Sequence, residues 1–317
     1  SVLTNVTVKG DYIYGINLYG THGAEMTNCN IVSVFSNGQD DYPLNLNNTN
    51  IGTMILNSSE REEDAGKVKI NEGSSVDKLY AYGENTKNVG TGIEKVKEIF
   101  DGESKTQMVA EADGIVYLTI QAAVDAAESG STIKLISDVK LEGQNCADML
   151  SGYTVDLNDN ILTLEGNTYL SGETIIKNGK INVTGKISDS YICLYEADAK
   201  LTLYDVELTG TFDAYAVINS KETGRLIIKD SVIDVIGNIS NPDEMGNIIY
   251  GGNVTIDNST VKGTDTVRGI GLADVEIKNN SVVDISDVET GLNCSTVTID
   301  NSTVTITNAT KRAVRLS

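Results

Sequence analysis

Short segments of alternating apolar and polar residues recur along the chain, and each ends at an Asn or Asp. The clearest copies are residues 254–261 and 297–304, both of which read VTIDNSTV. Alternation over four or five residues predicts a short β-strand with one buried face. A second apolar segment follows the Asn or Asp, as at 304–306, and a third precedes the unit, as at 269–272. The pattern therefore predicts three short strands per repeat.

The polar residue at the fifth position of this unit, which we call the corner residue, recurs every 19 to 28 residues within 5–72 and within 159–301. Asn and Asp tolerate the left-handed backbone region and bond to their own backbone, so they are typical of sharp turns. Ten of the eleven corner residues are Asn or Asp, the exception being Glu72. They are Asn5, Asn28, Asn48, Glu72, Asp159, Asn178, Asp205, Asp230, Asn258, Asn279 and Asn301.

Three short strands per repeat of about 22 residues predict an all-β fold, a single-stranded parallel β-helix. One coil cannot bury its apolar face alone, so coils stack about 4.8 Å apart and each strand pairs with its copies in the neighbouring coils. The corner residues then align in a ladder, and we expect their side chains to hydrogen-bond from coil to coil. An antiparallel sandwich would instead show Asn-Gly hairpins between adjacent strands.

Residues 84–112 do not follow the repeat. The apolar spacing of 92–100 (GIEKVKEIF) predicts a short helix, and 117–127 read as an amphipathic helix that ends before Gly130. Residues 131–136 then form a predicted strand.

The segment TIQAAVDAA at 119–127, followed by STIKL at 131–135, resembles the N-terminal capping helix and first strand of pectate-lyase-like right-handed β-helices. Residues 152–164 are similar to the first coils of bacterial surface and polysaccharide-active members of that superfamily. The resemblance implies a right-handed coil. Because the superfamily contains lyases, hydrolases, tailspikes and non-catalytic adhesins, the resemblance is specific for fold and not for activity.

Two arrangements of the chain fit these segments. In the first, residues 1–83 are the C-terminal coils of one β-helix and 84–114 are a helical junction. Residues 115–317 are then a second β-helix with a capping helix at 119–128, cut before its C-terminal end. In the other arrangement, a single continuous helix carries residues 84–130 as an insertion. The capping-helix signature favours the tandem arrangement.

Composition narrows the function. The chain has 24 Lys and Arg against 45 Asp and Glu, a net charge of −21, which disfavours binding to nucleic acid or to anionic lipid. No apolar run approaches the length of a membrane span, so we expect no membrane insertion. One His leaves little material for His-based catalysis. The four cysteines fit no zinc signature and predict buried thiols.

Enzymatic candidates follow from the resemblance. The lyase members use an acidic calcium site beside an Arg or Lys base, and the nearest match here is Arg268 with Asp265 and Glu289. Hydrolase members use aspartates on adjacent coils, and Asp213, Asp243 and Asp265 occupy comparable positions. Acidic residues are so common in this chain that both sets are also explained as solvated surface charges.

Tyrosine is in excess, with 14 Tyr against 3 Phe and no Trp. Tyr191, Tyr195, Tyr215 and Tyr250 lie in or beside the first strand of a coil, so stacked coils would bring some of them into a column. Aromatic faces beside polar side chains suit sugar rings. The alternative is that these tyrosines pack over loops with their hydroxyls in water.

Together these features predict a non-catalytic extracellular module of a large bacterial surface or secreted protein. We expect a stalk or adhesion role, with a glycan or a host or cell-surface protein as partner. The chain begins without Met and stops within a repeat, which indicates a piece of a longer polypeptide. We expect no cofactor. The alternative is a polysaccharide lyase or glycoside hydrolase, and calcium is the cofactor that the resemblance implies for a lyase.

Overall fold

The computed structural model confirms the parallel coil. The chain is 62% strand and 5% helical, and its strands form a parallel β-solenoid of about 12 turns with one short helix. It divides into two compact units, Ser1–Ala127 and Glu128–Ser317. The structure describes residues 1–11, 14–19, 23–37, 43–57, 67–83, 89–128, 130–220, 223–238 and 246–316.

Two parallel sheets build most of the first unit. The first sheet contains Val2–Thr4, Ala24–Thr27, Leu44–Asn47, Val68–Ile70 and Gly90–Thr91. The second sheet contains Thr7–Val8, Ile16–Tyr19, Asn30–Asn37, Asn50–Asn57, Ser75–Tyr82 and Val96–Asp101. In-register pairing places apolar residues of successive coils above one another. Met26, Leu46 and Ile70 are paired in this way, and all three are buried.

The helix predicted at 92–100 is wrong. Ile93–Lys95 form a single turn of 3₁₀-helix, and Val96–Asp101 is a strand that pairs in parallel with Ser75–Tyr82. The pairing buries Ile99 beside its partner Leu79, so one more coil extends the sheet. The spacing of the apolar residues fits a helix as well as a strand. The stacked sheet favours the strand because it supplies ladder partners for the backbone groups.

The end of the first unit contains a hairpin and the only α-helix among the described residues. Ala110–Ala112 pairs antiparallel with Ile115–Tyr117. The helix Ile120–Ala126 follows, and Thr119 caps it by accepting a hydrogen bond from the Ala122 N–H at 3.1 Å. Its buried face of Ile120, Ala123 and Val124 matches the amphipathic pattern.

Three strand positions recur along the second unit, and in two coils the first and second positions merge into the long strands Glu173–Val183 and Lys200–Phe212. The first position contains Thr132–Leu135, Thr154–Asp156, Arg225–Lys229, Asn253–Asp257, Asp274–Lys278 and Thr296–Ile299. The second contains Val139–Gly143, Ile161–Gly166, Val232–Gly237, Thr260–Thr264, Val282–Ser286 and Thr303–Thr307. The third contains Thr168–Leu170, Ser190–Leu194, Ala216–Ser220, Asn247–Tyr250, Arg268–Gly271, Thr290–Cys294 and Arg312–Leu316.

Every Asn or Asp corner residue adopts the left-handed conformation, with φ between 45° and 63°. At the exception, Glu72, the positive φ falls on Gly73 instead. The side chains bond from corner to corner at Asn48 and Asn28 (2.8 Å) and at Asn258 and Asp230 (2.6 Å). At three other corners the side-chain amide donates to a residue that is not a corner residue. Asn178 donates to Asp156, Asn279 to Asp257 and Asn301 to Asn280.

A second ladder lies one residue after most corners, and two residues after Glu72 and Asn279, at a position that the repeat marks only as small. We call Ser231, Ser259, Ser281 and Ser302 the serine ladder. The N–H of each of the first three donates to the hydroxyl of the next at 3.1 Å. Thr49 and Ser74 play the same role in the first unit. Because the corner breaks the strand, these hydroxyls supply acceptors that buried backbone would otherwise lack.

Candidate ligand-binding site

The predicted tyrosine column does not form. Tyr191 is fully buried, and its hydroxyl donates to the Gly185 carbonyl at 2.6 Å, so its assignment as a surface binding residue is wrong. It lies within a strand whose five residues are all buried, a pattern that alternation did not predict. Burial raises the pKa of the Tyr191 phenol to about 12.

The remaining three tyrosines belong to two separate pairs. The rings of Tyr215 and Tyr250 meet edge to face with centroids 5.1 Å apart. Tyr195 pairs with Tyr169, which the sequence did not single out, with centroids 5.5 Å apart. The pairs are separated along the third strand position because Cys193 and Asn219 occupy the intervening coils between Tyr169 and Tyr250.

Burial and hydrogen bonding hold Tyr215 neutral. Desolvation raises the pKa of its phenol, and a hydrogen bond with Tyr250 raises that pKa further, whereas the charge of Arg268 opposes the shift. Tyr215 and Tyr250 are both partly exposed. The pair therefore offers a neutral, rigid aromatic edge on the outside of the second unit.

An open cleft of about 830 Å³ lies beside Tyr250 and spans five coils. Gly251 and Gly252 form the turn on its floor, with φ of 75° and 74°. A Cβ on Gly251 would lie 2.1 Å from the Ser220 carbonyl oxygen, so only glycine allows this turn to approach the preceding coil. Side chains that face the cleft include Asn219, Thr223, Tyr250, Leu272, Asp274 and Ser295.

Leu272 is the unusual residue of the cleft. Its side chain is 49% exposed, and its φ of 49° places a branched residue in the left-handed region. That conformation costs an L-residue other than Gly, Asn or Asp roughly 1–2 kcal/mol. A strained and exposed apolar side chain in a cleft is a feature that often marks a functional site.

The polar groups of the cleft are hydroxyls, an amide and one carboxylate. Asp274 Oδ1 accepts a hydrogen bond from Thr296 Oγ1 at 2.7 Å. Among the described residues that line the cleft, Asp274 is the only carboxylate, and none is basic. Such a surface combines apolar contact with donors and acceptors for a neutral, hydroxyl-rich ligand.

Two of the three lyase candidates, Asp265 and Glu289, line one cavity of about 480 Å³. Arg268 is not among the described residues that line it. Glu289 is paired with Lys311 at 2.6 Å, and Arg268 lies close enough to Tyr215 to affect its pKa. Asp213 is buried beside Lys186 at 3.5 Å. Asp243 lies outside the described residues.

The described ranges contain no group of three or more His, Cys, Asp and Glu residues placed to hold a metal ion. All four cysteines are buried and form no disulfide, which agrees with the predicted buried thiols. No helix in the described part of the chain is long and apolar enough to span a bilayer.

No protein-family model, no curated protein and no solved structure matches the chain. The class to which it is assigned is therefore the parallel β-solenoid, on the structure alone. The resemblance to pectate-lyase-like β-helices stays a prediction. The fold by itself does not select a function.

Proposed function

We propose that the chain is a non-catalytic β-solenoid module that binds a neutral glycan in the cleft beside Tyr250. The observation that carries the proposal is the combination of the aromatic edge and the exposed Leu272 with hydroxyl and amide groups in one open cleft. Sugar rings present apolar C–H faces and hydroxyls together, and this surface complements both. A uronate polymer is disfavoured because the cleft contains a carboxylate and no basic described residue.

The solenoid supports such a role mechanically. Parallel strands pair in register from coil to coil, so the residues that face the cleft are held by continuous ladders of backbone hydrogen bonds. Preorganised side chains lose little conformational entropy when a ligand binds. In this proposal the module serves as a stalk or adhesion element of a secreted or surface protein, with a glycan on the partner surface.

A glycan array tests the proposal, followed by titration of the best ligand against two cleft variants. Tyr250→Ala removes the aromatic edge, and Leu272→Asn removes the apolar side chain while keeping a residue that tolerates the left-handed region. Burial of the exposed half of a Leu is worth about 1 kcal/mol, so Leu272→Asn should weaken binding about fivefold. Its thermal midpoint should stay unchanged or rise, because the backbone strain is relieved.

Tyr204→Ala is the matched control. Tyr204 is 40% exposed on the first strand position, with Lys229 Nζ 5.6 Å above its ring. This variant should bind like the parent chain. Absence of any glycan ligand, or equal binding by parent and Leu272→Asn, would contradict the proposed site.

The enzymatic alternative is tested directly by product release from uronate polymers, with and without calcium. No product is expected from the purified chain. Release of unsaturated or reducing ends that is lost in Arg268→Ala would overturn the non-catalytic assignment.

A further inference from the structure

A second cavity, distinct from the cleft, lies near the start of the second unit and has a different chemistry. Its volume is about 580 Å³. Two aromatic rings, two carboxylates and two hydroxyls line it, and none of its described lining residues is basic. The lining residues are Asp148, Ser151, Tyr169, Ser171, Tyr195 and Glu196.

Asp148 is fixed in place by the neighbouring coil. One of its oxygens, Oδ1, accepts both the Tyr169 N–H at 2.6 Å and the Thr168 hydroxyl at 3.1 Å. The other oxygen makes no hydrogen bond to any residue in the described ranges. Asp148 is therefore a rigid, partly exposed carboxylate. Its second oxygen bonds to neither Tyr169 nor Thr168.

The two rings are held in an edge-to-face arrangement at an interplanar angle of 74°. The Tyr169 hydroxyl donates to Asp189 Oδ2 at 2.5 Å, which fixes that ring. Tyr195 is 54% exposed and forms the rim. The faces of aromatic rings carry negative potential and attract cations.

A neighbouring cavity of about 530 Å³ also contains Tyr169 but differs in its charged groups. It contains Lys186 and two carboxylates, of which Glu165 is paired with Lys140 and Asp189 accepts the Tyr169 hydroxyl. The carboxylates of that cavity therefore share it with a basic side chain. In the first cavity, ring faces and carboxylates combine without a basic side chain among the lining residues.

We propose that this cavity binds an organic ammonium group, with the Tyr169 and Tyr195 rings contacting its alkyl groups and Asp148 and Glu196 supplying the counter-charge. The site is independent of the glycan cleft, since the two share no lining residue. The volume of the cavity accommodates a small quaternary amine. The cavity is also open enough for the ammonium to be one end of a longer molecule.

Titration of the intact chain with choline at low ionic strength tests the proposal, with 3,3-dimethylbutan-1-ol as the neutral probe of the same shape. We expect saturable binding of choline and at least tenfold weaker binding of the alcohol. Tyr195→Ala should weaken choline binding about tenfold, a loss consistent with a partly desolvated cation–π contact. Asp148→Asn keeps the acceptor for the Tyr169 N–H, removes the charge, and should weaken binding severalfold.

Tyr204→Ala, which removes another exposed tyrosine elsewhere, should bind choline like the parent. Added salt should weaken binding of choline and leave the alcohol unaffected. Three results would each overturn the proposal: no saturable binding of choline, equal binding of choline and the alcohol, or undiminished choline binding by Tyr195→Ala. Circular dichroism and thermal midpoints establish that each variant is folded before it is titrated.

Discussion

The serine ladder makes a quantitative prediction about what stabilises the corners. Ser259 is 4% exposed, and its hydroxyl accepts the Ser231 N–H at 3.1 Å. The same hydroxyl lies 2.7 Å from the Asp257 carbonyl and 3.1 Å from the Ile228 carbonyl, to one of which it donates. Replacing Ser259 by Ala removes all of these interactions without adding volume.

The largest cost of Ser259→Ala is the orphaned Ser231 N–H. The Asp257 carbonyl keeps a second donor, the Asp230 N–H at 3.1 Å, so it stays satisfied. A buried N–H without an acceptor costs about 1–3 kcal/mol. We therefore expect Ser259→Ala to lower the free energy of unfolding by about 2 kcal/mol, a factor of roughly 30 in the equilibrium constant.

Urea unfolding and amide hydrogen exchange measure the effect together. The urea midpoint should fall, and the Ser231 amide should lose protection while the Ser281 amide, bonded to Ser302, keeps it. Ser295→Ala is the control, because Ser295 is exposed and its side chain makes no hydrogen bond within the described residues. Its stability should change by less than about 0.5 kcal/mol.

Ser259→Thr is the rescue variant. Thr49 already occupies the equivalent position in the first unit, fully buried, with its hydroxyl accepting the Cys29 N–H at 3.2 Å. The Thr variant should recover most of the lost stability. If Ser259→Ala matched Ser295→Ala in midpoint and left the Ser231 amide protected, the hydroxyl would not be the acceptor that holds the corner.

Two further predictions concern a corner and the buried phenol. Asn258→Ala should lower the free energy of unfolding by about 1–2 kcal/mol in urea titration, because Ala resists a φ of 46° and loses the bond to Asp230; Asn258→Gly should cost less. Tyr191→Phe should lower it by about 1 kcal/mol through loss of the bond to Gly185. Because burial raises the Tyr191 pKa from 10.0 to about 12, the parent should lose stability as the pH rises from 10 towards 12. The Phe variant lacks this group, so an equal alkaline loss in both chains would contradict the assignment.

The coil was predictable because the information is local and repeated. Each copy of the repeat marks a half-buried strand and a turn-forming Asn or Asp, and ten independent copies agree. The left-handed φ at every one of those corners follows from an Asn or Asp placed at the end of an alternating strand. Misassignment occurred where the repeat was absent, at 92–100, since a short apolar spacing fits a helix as well as a strand.

The ligand sites were less predictable because they depend on neighbours in other coils. Tyr191 and Tyr195 lie four residues apart, yet one is fully buried and the other is 54% exposed. Tyr169 has no distinguishing sequence signal, and it gains its role from pairing with Tyr195 across one coil. Leu272 is an unremarkable residue in the sequence, and only its backbone conformation and exposure single it out.

The amino-acid sequence by itself determined the parallel coil, its repeat and the residues at its corners, because strand alternation and turn chemistry act over a few residues. Only the tertiary structure decided which outward side chains meet. Coils of 19 to 28 residues differ in the length of their turns, so side chains that are equivalent in the repeat are displaced around the surface. The pairing register and the turn lengths together determine the shape of the cleft beside Tyr250 and of the cavity beside Tyr195. Both depend on residues in other coils.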